Sequence, residues 1–215
     1  MILMNDVIAY LDKIIPNPVC ELNYQKDYEL LMAVMLSAQT TDKRVNMVTD
    51  VLFHQYPSLE LLSQAKLEDV KKIIKPIGTY HKKASNVIAI AEALLRDQNG
   101  IVPNNRAYLE DLPGVGRKTT NVVLSILYHV PCIAVDTHVS RVSKRLGVAK
   151  ETDDVLVIEK KLTKKIPKEK LNRMHHQMVL FGRYYCKAQN PLCDTCQLHE
   201  QCRYYKNAIK KGSLH

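Results

Sequence analysis

Residues 112–119 read Leu112-Pro113-Gly114-Val115-Gly116-Arg117-Lys118-Thr119, with Asp136 and His138 a short way downstream. Pro113 ends a helix. Gly114 and Gly116 permit positive φ and leave a bare backbone that another molecule can approach closely, so the stretch reads as a tight turn between two helices. The second helix is expected to start at about Arg117, with Val122, Val123, Ile126 and Leu127 on its inner side. Amides at a helix start, the positive end of its dipole, and the charges of Arg117 and Lys118 together form an anion site suited to a phosphate. The same residues also suit an ordinary corner between helices, because Gly and Pro terminate helices in every kind of protein.

Outward from the turn, apolar residues recur at helical spacing almost throughout. Val7, Ile8, Leu11, Ile14 and Ile15 predict a first helix that stops at Pro16. A densely apolar helix runs from Asp27 through Leu36 and ends near Gln39, after which Thr41 or Asp42 caps the next. Short helices are expected after Ser58 and over Leu67 to Ile74, followed by a loop holding Ile77, Thr79 and Tyr80. Ala84, Val87, Ile88, Ala91, Leu94 and Leu95 form the cleanest repeat, stopped by Gly100, and a short helix from about Asn105 leads into the turn. Beyond it, Val139, Val142 and Leu146, then Val155, Ile158 and Leu162, then Leu171, Met174, Met178 and Phe181 mark three more helices. With no convincing period-two strand and only seven glycines in 215 residues, the fold class is all-α.

A hydrophobic content of 46% over this length supports one sizeable core or two small ones. The formal charge of +9 and pI near 9.2 call for a polyanionic partner. No Lys-rich amphipathic helix with an aromatic apolar face is present, so that partner is expected to be nucleic acid and not a membrane. Asp6, Asp12 and Lys13 interrupt the apolar pattern at the N-terminus, which argues against a signal-peptide core, and no apolar run reaches membrane-spanning length. A soluble, intracellular, cytoplasmic protein is expected. The six lysines between Lys160 and Lys170 read as a solvated helix face ahead of a direct DNA contact.

Cys186, Cys193, Cys196 and Cys202 are spaced C-x6-C-x2-C-x5-C, with polar residues between them that rule out an apolar core. Such clustering suits metal ligation in a reducing compartment better than disulfides, and by spacing alone either zinc or an iron-sulfur cluster is possible. Cys20 and Cys132 stand apart and read as small core filler. Lys187 and Arg203, flanking the ligands, are candidates to face phosphates.

Leu112 to Thr119 followed by Val135-Asp136-Thr137-His138, together with Leu36-Ser37-Ala38-Gln39-Thr40-Thr41-Asp42 and the four cysteines, resembles the endonuclease III family of helix-hairpin-helix DNA glycosylases over nearly the whole chain. The resemblance implies a central helical barrel of residues 20–130 carrying the hairpin. It implies a second helical domain, built from 1–19 and 131–215 and holding a [4Fe-4S] cluster on the four cysteines, with damaged double-stranded DNA in a cleft between the two. It further implies a monomer that acts as a bifunctional glycosylase and apurinic/apyrimidinic lyase on oxidised pyrimidines. Lys118 would be the nucleophile and Asp136 the carboxylate that assists it, while Gly114, Val115, Gly116, Arg117, Thr119 and His138 would contact DNA. Gln39, and Ile77 or Thr79, match places where the family inserts side chains into the gap left by a flipped base; Thr79 departs from the larger apolar residue often found there. Read from the residues alone, Lys118 can equally pair with a phosphate, and Asp136 has the sequence context of an N-cap. A non-catalytic iron-sulfur DNA-binding protein, or a related glycosylase acting on mismatched bases, is the alternative.

Overall fold

A computed structural model describes residues 2–210 of the chain. Along it run α1 (Met4–Ile14), α2 (Asp27–Leu36), α3 (Asp42–Gln55), α4 (Leu59–Ser63), α5 (Leu67–Ile74), α6 (Tyr80–Gln98), α7 (Arg106–Asp111), α8 (Arg117–Tyr128), α9 (Thr137–Leu146), α10 (Val155–Lys165), α11 (Leu171–Tyr184) and α12 (Arg203–Lys210). Two short 3-10 turns accompany them, and no strand occurs among the described residues. The all-α expectation holds; α12, none of whose residues is buried, was not among the expected helices.

The chain divides into two compact units, Glu21–Tyr128 and Met1–Cys20 with His129–His215. The Glu21–Tyr128 unit is built on α2. Its residues Tyr28 through Leu36 are all buried, and α3, α6 and α8 pack around it. A helix that is apolar on every side is stable only when surrounded. Its start is fixed by Glu29 Oε2, which accepts the amides of Gln25 (2.7 Å) and Lys26 (3.2 Å), and by Asp27 Oδ2, which accepts the Val102 amide at 2.9 Å. Thr41 sits at the N-cap of α3 as expected, but its side chain makes no capping bond. Ser58 and Asn105 do cap α4 and α7 through side-chain oxygens.

Several expectations are corrected in this unit. Ile77, expected in a loop, is 1% exposed and belongs to the core of its unit, whereas Thr79 is exposed. Tyr80 opens α6 and is not a loop residue. In α8 the residues Thr119 through Leu124 and Ser125 are buried, while Ile126 and Leu127 are only half-buried.

In the other unit, α9 packs against α10, α11 and α12, and α1 against α11, around Leu11, Ile133, Val139, Val142, Ile158, Leu162, Met174 and Phe181. Gly182 is what lets α11 approach the start of α9. A Cβ there would lie 2.8 Å from Cβ of His138 and 3.3 Å from its Cα, too close without a shift of the helix. Val155 is 53% exposed, so α10 turns inward only at Ile158 and Leu162. Cys20 and Cys132 are half-buried surface residues and not core filler.

Asp12 on α1 gathers Gln177 Nε2 (3.0 Å), Arg173 Nε (2.8 Å) and Lys170 Nζ (3.3 Å) from α11 and the turn before it. These donors, the Gln177 bond foremost, hold its carboxyl below the ordinary 3.8. A depressed carboxyl contributes stability that is present above the ordinary value and lost as pH falls through the lower, folded one. This clasp therefore loosens only in acid, below about pH 4.

Candidate active site and cysteine cavity

The turn between α7 and α8 divides its labour between two glycines. Gly114 has φ +79°, and a Cβ there would stand 2.3 Å from Asn86 Nδ2 on α6 and 3.4 Å from Met35 Cγ on α2. Its missing side chain admits a neighbour within the same unit, not a foreign molecule. Gly116 needs no positive φ, and nothing lies within 4 Å of where its Cβ would be. It is Gly116 that leaves the surface bare. The Gly116 carbonyl accepts the Thr120 amide at 3.0 Å and so starts α8, whose first-turn amides then lack intrahelical acceptors.

Arg117 and Lys118 are exposed on that first turn, beside the positive end of the helix. Val115 and Thr119 have buried side chains (3% and 8% exposed). Any contact they make with a ligand runs through the backbone. An arrangement of exposed amides, a guanidinium and an ammonium can bind a phosphate and leave an amine at its edge.

Asp136 follows an extended run in which Ile133, Ala134 and Val135 are buried. Two residues of α11 hold this run: Asn172 Oδ1 accepts the Cys132 amide at 3.1 Å, and His175 Nδ1 lies 3.1 Å from the Ala134 carbonyl. Asp136 is the N-cap of α9, its Oδ1 accepting the Val139 amide at 2.8 Å. The N-cap expectation holds. The bond fixes the carboxylate at the mouth of the helix and engages one oxygen. His138, half-buried, has Nδ1 3.2 Å from Arg141 Nη2, and the same Nη2 donates to the Gly182 carbonyl at 2.6 Å.

Gln39 lies between α2 and α3 with φ +57° and an exposed side chain, and Thr79 is likewise exposed at φ +56°. Two left-handed non-glycine residues at surface turns mark backbone that its surroundings hold in place.

The four clustered cysteines line one cavity together with Leu146, Phe181, Tyr185 and Leu192. Burial and the neighbouring thiols Cys186, Cys202 and Cys196 push Cys193 up to about 11, and burial raises Cys196 and Cys202 as well. Four thiolates do not coexist here without a cation to neutralise them. Among the described residues no three His, Cys, Asp or Glu side chains close on a point that would hold a single metal ion. Four cysteine side chains on one cavity suit either one zinc ion or an iron-sulfur cluster.

Sequence reading missed the residues that frame this cavity. Arg145 on α9 donates to the carbonyls of Cys186 (3.3 Å), Lys187 (2.6 Å) and Ala188 (3.0 Å) and to Cys186 Sγ (3.4 Å), and stacks over Tyr204 at 4.2 Å. Arg141 Nε adds a bond to the Cys186 carbonyl at 3.1 Å. Burial and the nearby Arg145 charge lower the pKa of Arg141. Arg203, expected to face phosphates, turns inward instead. It donates to the carbonyls of Lys144 (2.6 Å) and Ala149 (3.0 Å) and pairs with Glu151 at 2.9 Å, which ties the start of α12 to the end of α9 and the segment after it. Lys187 is exposed.

Residues 32–168 match the family model described as the HhH-GPD superfamily base excision DNA repair protein. Endonuclease III of Bacillus subtilis (strain 168) is 46% identical over 99% of this chain and 98% of its own length. The Escherichia coli (strain K12) endonuclease III is 43% identical over 93% of this chain and 94% of its own. A solved structure of a trapped endonuclease III-DNA covalent intermediate superposes with a TM-score of 0.92 at 46% identity, covering 97% of this chain and all of that one. No helix among the described residues is long and apolar enough to cross a membrane. A bare, cation-flanked hairpin, a capped aspartate and a four-thiol cavity thus occur in a chain that matches these proteins along nearly its whole length, and it belongs to the endonuclease III family within the HhH-GPD superfamily of base excision DNA repair proteins.

Proposed function

We propose that this chain excises oxidised pyrimidines from double-stranded DNA and cuts the strand at the resulting abasic site, with Lys118 as nucleophile and Asp136 as the carboxylate that assists it. The glycosylase and lyase chemistry of base excision repair follows from the family. The observation that carries the assignment of Lys118 is its exposure on the first turn of α8, directly after the open Gly116.

In this reading the hairpin backbone and Arg117 anchor a phosphate, and a flipped nucleotide brings its C1′ to Lys118. The Nζ lone pair attacks C1′, the bond to the base breaks, and the departing base takes the electron pair and a proton. The C1′–O4′ bond then breaks, O4′ leaving with the electron pair and taking up the proton that the amine gives up, while the nitrogen lone pair forms the C1′=N bond of a Schiff base. The imine acidifies the C2′ hydrogen, whose removal expels the 3′ phosphate and breaks the strand. The Asp136 carboxylate stabilises the positive charge that develops at the sugar as the base leaves. Gln39 enters the gap left by the flipped nucleotide and His138 contacts the backbone near the lesion. Thr79, small and polar, does little wedging from its side.

Cys186, Cys193, Cys196 and Cys202 would hold a [4Fe-4S] cluster. When bound it supplies crosslinks across a segment with few apolar residues of its own and takes no part in the reaction. The enzyme works as a cytoplasmic monomer.

A duplex carrying one oxidised pyrimidine tests the activity. Free base and a β-elimination end are expected to appear together, with no cleavage of the undamaged duplex. Base release without strand cutting would remove the lyase half of the proposal. Purified protein is expected to contain about four irons per chain and little zinc. Stoichiometric zinc in protein made with ample iron would overturn the cluster assignment.

A further inference from the structure

Lys83 lies on the first turn of α6 with only 5% of its surface exposed, and nothing in the mechanism above uses it. Its Nζ donates to the carbonyls of Leu36 (2.9 Å) and Ala38 (2.7 Å) and to the Thr40 hydroxyl (3.4 Å). These are neutral oxygens, and burial lowers the lysine's pKa. A buried ammonium bonded only to neutral groups is costly, so its presence calls for a job that an apolar side chain of the same size could not do.

The three acceptors say what that job is. Leu36 is the last residue of α2, where helical carbonyls are left open and the dipole is negative, so the ammonium caps the helix. Ala38 and Thr40 stand on either side of Gln39, whose φ of +57° is unfavourable for a residue with a Cβ. The Gln39 side chain itself is exposed. Lys83 therefore holds the backbone before Gln39 and the Thr40 side chain after it, without touching the side chain that faces outward. One helical turn along the same face of α6 stands Asn86, packed against the Gly114 position of the hairpin. One helix face thus supports both the phosphate-anchoring turn and the turn that presents Gln39.

We propose that Lys83 is a positioning residue for lesion recognition: bonded on both sides of Gln39, it keeps that turn in the left-handed form in which the side chain can enter the gap left by a flipped nucleotide. The inference rests on the reading that Gln39 fills that gap.

A double-mutant cycle tests it on the full-length protein purified with its bound metal group. Wild type, Lys83→Met, Gln39→Ala and the double variant are titrated against duplex containing a tetrahydrofuran abasic-site analogue, with 2-aminopurine opposite it, and against the undamaged duplex. Met keeps the bulk of the side chain and removes the bonds. If the freed turn is competent about a tenth of the time, the apparent Kd for abasic duplex rises about 10-fold. Affinity for undamaged duplex stays the same, since no gap needs filling. In the Gln39→Ala background Lys83→Met is expected to add nothing, because the two act as one unit. Additive losses, equal losses on both duplexes, or no loss from Lys83→Met while Gln39→Ala weakens abasic binding would each overturn the role of Lys83. Wild-type binding and 2-aminopurine signal in Gln39→Ala would instead overturn the gap-filling reading on which it rests. Thermal melting checks the fold of each variant. Should Lys83→Met not fold, Lys83→Gln, which keeps shorter N–H donors, runs through the same cycle with the same criteria.

Discussion

Lys118→Gln is expected to bind abasic-site duplex with near-normal affinity and to give no covalent complex when borohydride is added. Borohydride reduces the imine that the proposed reaction requires, and an amide nitrogen forms no such imine. Because Lys118 is exposed on the first turn of α8, the substitution leaves no buried group unsatisfied and the fold is expected to persist. The hairpin amides and Arg117 still hold the phosphate. Loss of a catalytic nucleophile costs on the order of 10⁴- to 10⁶-fold in rate, so base excision is expected to become undetectable in an ordinary assay. Trapping at wild-type yield in this variant would place the nucleophile on another residue.

Asp136→Asn separates two roles that removal of the side chain would confound. The Asp136 Oδ1 bond to the Val139 amide is an N-cap, and Asn caps a helix about as well as Asp. Melting is expected to shift by at most a few tenths of a kcal/mol, through the weaker interaction with the helix dipole. What Asn lacks is negative charge beside the developing cation at the sugar. Loss of one preorganised electrostatic partner costs about 10²- to 10³-fold, so single-turnover base excision is expected to slow by that factor while abasic-site affinity stays near normal. Wild-type turnover in Asp136→Asn would reduce the carboxylate to a cap. The undiminished melting expected here is what allows a rate loss to be read as chemistry.

The elements nearest the proposed chemistry were legible because their signals are local. The hairpin is announced by Pro113 and two glycines within four residues, and the Asp136 cap by a polar residue just before an apolar repeat. Less legible were residues whose burial depends on what packs against them. Ile77 reads as a loop residue from Pro76 and Gly78 beside it, yet the core of its unit takes it in. The sequence position of Arg203 beside Cys202 suggests a surface cation, but its guanidinium bonds the Lys144 and Ala149 carbonyls instead.

Composition, periodicity and spacing by themselves determined an all-helical chain, the order of α1 to α11, the hairpin with Lys118 on its second helix, and the grouping of four cysteines in one late segment. Each of these depends on neighbours within a turn or two, where backbone hydrogen bonding and side-chain period act. Tertiary structure alone decided which glycine is packed and which is bare, because Gly114 meets Asn86 from a different helix while Gly116 meets nothing. It decided too that Arg141 and Arg145 tie down the cysteine segment, and that Lys83 grips a turn more than 40 residues earlier in the chain. Such contacts join residues far apart in sequence through close packing, and no local pattern encodes them.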